Sequence, residues 1–126
     1  MSQENEDTFR KAIEAAERGD PGALGEFMDP DLVVRPDPSG SKDPLKGRAE
    51  AVLFYKRACE SGPPKLYVDD FRDLGDRLLF QLLVTPGHSE DENAYSLIVT
   101  FEEGRATLVE WFSDRQEAIE AAGLRE

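Results

Sequence analysis

The sequence predicts an α+β fold: three N-terminal helices packed on a long curved antiparallel sheet, closed by a short C-terminal helix. Three observations carry this. As far as about residue 60, apolar residues recur at helical spacing between turns marked by Gly, Asp and Pro. From residue 65 onward, four segments of nine or ten residues rich in Leu, Val, Phe and Tyr follow one another with short turn signals between them. After the last of these, an aspartate able to cap and a downstream glycine bracket a short helical stretch.

Taken in order, residues 5–18 carry Phe9, Ala12, Ile13 and Ala16 at helical spacing, and Gly19 ends the helix. Asp20 caps a second helix with Pro21 in its first position. Its apolar side is Leu24, Phe27 and Met28, and Gly25 weakens it. "DLVVRPD" reads as a short strand closed by prolines and "PDPSGSKDPLKG" as a loop. A third helix over 48–60 places Ala51, Phe54, Tyr55 and Ala58 along one side. The strands are "KLYVDDFRDL", with a bulge at Asp69–Asp70, then "RLLFQLLVT", "NAYSLIVTF" and "RATLVEWFS". Their short connections fit an antiparallel meander. Asp114 caps the last helix, Glu117 completes a capping box and Gly123 ends it.

A chain of 126 residues is a single domain spanning 1–126. With 39 % hydrophobic and 33 % charged residues it is globular, with one core and room for a ligand cavity. A net charge of −12 repels phosphate backbones and anionic lipid, so neither nucleic acid nor membrane is an expected partner. Cys59 is the only cysteine, which suits a reducing cytoplasm and a buried, small hydrophobic role. No apolar run reaches a membrane-spanning length, and "MSQENEDTF" has no signal-region character. His88 lies in the acidic loop "TPGHSEDEN", which lacks the fixed frame a metal needs, so no metal or other cofactor is expected.

The last hairpin sets which side chains share a face. A three-residue loop in "FEEGRA" with Gly104 left-handed places Phe101 opposite Arg105 and Tyr95 opposite Trp111. Tyr95, Leu97 and Val99 then share the cavity face with Thr107, Val109 and Trp111. Leu108, Glu110 and Phe112 point the other way. Neither face is purely polar, so both are expected to be covered, one by the helices and the other by a second subunit in a homodimer. Glu110 is then an interface glutamate paired to an Arg or Lys, and Gln81 a sheet-interface residue.

"AAERGDPGALGEFMDPDLVV", "KGRAEAVLFY", "DLGDRLLF" and "FEEGRATLVEWFSDRQEAIEAAGL" together resemble the SnoaL-like branch of the cone-shaped nuclear transport factor 2-like superfamily. The resemblance spans nearly the whole chain. It implies a helix-closed cone with an internal cavity, often in a dimer, on a fold that hosts isomerases, cyclases, hydrolases and plain binders. SnoaL-like cyclases use a histidine and an aspartate seven residues before and seven after the hairpin glycine. Here those positions hold Leu97 and Trp111, neither of which exchanges a proton at neutral pH. The ketosteroid isomerase pattern departs similarly. Its base position falls on Pro36, one residue from Asp37, its first-helix tyrosine on Ala12 and its protonated aspartate near Leu97. Only Phe54–Tyr55 matches.

Three readings remain open at this stage. One is a binder of a small apolar or polycyclic molecule in a cavity walled by Tyr55, Phe80, Tyr95, Leu97, Val109 and Trp111. The second is an isomerase, cyclase or hydrolase using a non-standard group such as Asp37, Tyr55 or Tyr95. The third is a dimeric scaffold with a filled cavity. Loss of both ionisable cavity positions favours the first and third over the second.

Overall fold

Amphipathic spacing around Phe9 and Ile13 folds α1 over Ser2–Arg18, and the computed structural model, which describes residues 2–36, 43–87 and 89–124, lays it against the inner face of a six-stranded sheet. Asp20 then caps α2 (Pro21–Gly25), its carboxylate accepting from the Ala23 N–H at 3.0 Å. α2 is only one turn long. Phe27 and Met28 do not extend its apolar side; Met28 opens β1 (Met28–Arg35), because the chain is already committed to the sheet at this point.

β2 (Leu45–Lys46) pairs with β1 and leads into α3 (Arg48–Ala58). On α3 only Ala51 is buried. Phe54, expected on the inward side, is 58 % exposed, since Ala51 and Tyr55 turn inward and Phe54 lies off that stripe.

β3 (Lys65–Asp73), β4 (Arg77–Thr85), β5 (Asn93–Glu102) and β6 (Arg105–Phe112) form the expected antiparallel meander. The sheet order is β2-β1-β6-β5-β4-β3, and β1 joins β6 in parallel, so the sheet is mixed rather than wholly antiparallel. The connection from β1 to β6 runs through most of the chain, which removes the hairpin constraint that would force an antiparallel pair.

The β5–β6 turn corrects the expected register. It is a two-residue loop, with both Glu103 and Gly104 at positive φ (51° and 79°), and it pairs Glu102 with Arg105. A bulge then leaves Thr107 without a partner between Phe101–Ala106 and Thr100–Leu108. The bulge restores the original parity two residues out of register. Odd-numbered residues therefore still face inward, but Trp111 stands opposite Leu97, not Tyr95.

Another bulge lies in β3, where Asp70 and Phe71 together oppose the single Phe80, with Asp70 at φ 48°. Phe71 is thereby kept on the inner face. It stacks with Phe9 and Phe80, the three ring centroids lying 4.4 to 6.5 Å apart. This trio and Leu32, Leu78, Leu82, Leu97 and Val99 make the main core between helices and sheet.

The outer face has its own cover. α4 (Arg115–Ala121) is capped by Asp114 and seats Ala118, Ile119 and Ala122 on Leu79, Ile98 and Phe112. Asp70 accepts from the Arg115 guanidinium at one end of α4, and Arg77 donates to the Ala122 carbonyl at 3.1 Å at the other. The chain thus covers with its own C-terminal helix part of the face that the sequence assigned to a second subunit. No helix among the described residues is long and apolar enough to cross a membrane.

Candidate functional site

Alternation along β4, β5 and β6 builds one row of inward side chains: Phe80 is paired with Leu97, and Leu97 with Trp111. Tyr95 and Val109 flank this row, each two residues along its strand. Five of the six residues expected to wall a cavity are therefore contiguous on the inner face.

Burial falls off along the row. Phe80 and Leu97 are 2 % and 4 % exposed, whereas Trp111, Tyr95 and Val109 are half-buried. Phe9 seals the Phe80 end, its ring centroid 4.4 Å from that of Phe80. The exposed surface of this row lies at its Trp111 end, where the Tyr95 and Trp111 rings meet edge to face with centroids 5.2 Å apart. This ring contact joins diagonal neighbours, which is within reach of two large aromatics across a ladder.

The surroundings are apolar. Ile13, Val34, Leu66 and Val84 are partly buried against the same cluster, and the Glu17 carboxylate lies at its edge, accepting from the Leu66 N–H at 3.1 Å. Tyr95 and Trp111 bring a hydroxyl and an indole N–H to this surface, and neither group hydrogen-bonds to a described residue. Such a surface can desolvate a flat apolar molecule and offer it hydrogen bonds; a proton relay needs a group that titrates near neutrality.

The sixth expected residue stands apart. The Tyr55 hydroxyl donates to the Ala16 carbonyl at 2.5 Å, tying α3 to the last turn of α1. Burial pushes this hydroxyl well above its ordinary value, and the neighbouring Cys59 thiol adds to the effect, so Tyr55 stays a neutral phenol. Cys59 itself is half-buried. Glu110 lies on the outer face with Arg35 as its register neighbour on β1, and Gln81 lies on the same face. Asp37 and His88 lie outside the described residues.

The model of the SnoaL-like domain matches residues 9–109. The chain belongs to the SnoaL-like domain family. No curated protein gives a significant match to it in sequence. Among solved structures this SnoaL-like domain is similar to a candidate SnoaL-like polyketide cyclase from Jannaschia (TM-score 0.73, 15 % identity, 98 % of this chain and 94 % of that one). It is also similar to a candidate ketosteroid isomerase from Kribbella flavida (TM-score 0.75, 16 % identity, 87 % and 77 %). A third similar structure is TerC co-crystallised with polyporic acid (TM-score 0.69, 21 % identity, 93 % and 98 %). At these identities the likeness shows the nuclear transport factor 2-like fold alone.

Sequence reasoning missed two parts of the SnoaL-like domain's interior. Phe9 and Phe71 fill the cone beside Phe80; the spacing of Phe9 and Ile13 was the signal for the first, and the second turns inward because the bulge expected at Asp69–Asp70 falls one residue later, at Asp70–Phe71. The seating of α4 on the outer face had a signal too, because its Ala118, Ile119 and Ala122 repeat at helical spacing and must bury somewhere.

Proposed function

We propose that this SnoaL-like domain binds a small, apolar, flat molecule at the Trp111 end of the cone, without the acid–base pair of the cyclases. One observation carries the reading: Leu97 and Trp111, which stand where the cyclase histidine and aspartate are expected, face each other across β5 and β6 on the inner face. The pair that would move protons is replaced by an apolar wall. Half-burial of Trp111 and Tyr95 leaves aromatic surface for a ligand to cover, at roughly 25 cal/mol per Å² of apolar area. TerC, a structural neighbour, was crystallised with polyporic acid, which makes that compound a sensible first probe.

Trp111 is the only tryptophan, so the site reports on itself. Titration with polyporic acid and with neutral polycyclic ketones should quench or shift its emission saturably. At a hundred times the dissociation constant the ligand should add about 2.7 kcal/mol to unfolding stability. A panel of such compounds that leaves both emission and melting temperature unchanged would reject the binder and leave the filled scaffold.

The proposal includes a homodimer through what α4 leaves open on the outer face. Val33, Leu83 and Leu108 are half-buried there and belong to neither core cluster, and Tyr67 is 61 % exposed. Light scattering at increasing concentration tests this, and a mass that stays monomeric rejects it.

A further inference from the structure

We propose that the groove between α2 and α3, outside the cone, is a docking site for an acidic amphipathic helix of a partner protein. The groove is open and encloses about 560 Å³. Its lining combines the small residues Gly22, Gly25 and Ala49 with the apolar Val52 and Leu53. Gly25 makes this approach close: a Cβ there would lie 3.2 Å from Val52 Cγ2, so that methyl would have to give by a few tenths of an ångström.

Two features say what fits. Leu53 and Phe54 are 47 % and 58 % exposed, consecutive on α3, and neither is spent on the core. Helical partners recognise such surfaces by laying an apolar stripe into the groove.

The second feature is charge. In a chain of net charge −12, α3 carries Arg48, Lys56 and Arg57 against one carboxylate, Glu50. Arg48 and Lys56 line the groove, and Glu26 is its one carboxylate. Arg48 is held in place by its bond to the Met28 carbonyl at 3.4 Å. Lys56 lies eight positions after Arg48, or about 12 Å along the helix. Carboxylates two turns apart on an incoming helix match that distance. The rest of the surface repels such a partner, so the attraction is short-ranged and falls with salt.

Fluorescein-labelled 16-residue helical peptides with one leucine stripe, flanked either by Glu or by Gln, test this by anisotropy against the full chain. The Glu peptide should bind saturably and at least tenfold tighter than the Gln peptide. Leu53→Asp and Lys56→Glu should each weaken it at least tenfold, and Lys11→Glu, the same charge change at an exposed lysine on α1, should not. Leu53→Ser replaces Leu53→Asp if the latter loses its cooperative melt. Equal affinities for the two peptides, or affinities that survive both groove variants, overturn the proposal. So does a peptide-free dimer that Leu53→Asp dissolves, because the occupant would then be a second copy of this chain.

Discussion

Leu97 on β5 and Trp111 on β6 are direct cross-strand partners on the inner face of the sheet, one sealed at 4 % exposure and the other half-buried. The step from sealed to accessible falls between these two side chains, which makes Trp111 the residue a ligand would meet first. Trp111→Ala should therefore weaken binding of a polycyclic probe by tenfold or more, about 1.4 kcal/mol, read by thermal shift because the variant has no tryptophan. Trp111→Phe keeps an aromatic face and should lose less.

Phe80 carries a different load. It is 2 % exposed, central to the Phe9–Phe71–Phe80 trio, and away from the accessible end. Phe80→Ala should cost about 3–5 kcal/mol of unfolding free energy, seen as a lower denaturation midpoint at an unchanged slope.

Much of this was legible from residue types alone, and the reasons differ by element. β4 was placed to the residue because "RLLFQLLVT" is bounded on both sides by turn chemistry. The inward side of Trp111 was also legible, since parity survives any even shift of register. The partner of Trp111 was not. It depends on a positive φ at Glu103, a non-glycine residue, and on a bulge at Thr107, and neither has a local sequence mark. The bond from the Tyr55 hydroxyl to Ala16 was not legible for a similar reason. Helical spacing fixes a direction around α3, but whether that direction meets the cone or the end of α1 is settled by how the helices dock.

Tyr55 yields a pH prediction. Its folded-state pKa is raised, so the folded chain keeps the phenolic proton after the unfolded chain has lost its own. The contribution is fully present below the unfolded value of about 10 and is lost progressively above it. Tyr55→Phe should cost about 1 kcal/mol at pH 7 through the lost bond to Ala16, and should flatten the stability–pH curve above pH 10. Ligand binding at the Trp111 end should be unchanged, which separates the binder from an enzyme that uses the Tyr55 hydroxyl.

On the outer face, the cover provided by α4 rests on burial more than on its ion pair. Ile119 is 2 % exposed, whereas Asp70 and Arg115 are 34 % and 47 % exposed at their side chains. Ile119→Ala should cost about 2–5 kcal/mol. Arg115→Ala should cost at most about 1 kcal/mol, and that cost should vanish in high salt. Urea melts of both variants with and without 1 M NaCl distinguish the two contributions.

The approach of two loops sets the strictest steric demand. A Cβ on Gly87 would lie 2.5 Å from the Gly62 carbonyl oxygen, and the obstacle is backbone rather than a side chain that could rotate away. Gly104 offers a contrast, because it has open space around it and only its φ of 79° resists a side chain. Gly104→Ala should therefore cost about 1 kcal/mol, the usual penalty for a left-handed L-residue. Gly87→Ala must move the loop between β4 and β5 away from the segment that follows α3, so it should cost more than Gly104→Ala. Thermal melts of the two variants side by side give the comparison, and an equal or smaller loss for Gly87→Ala would show that these loops yield without strain.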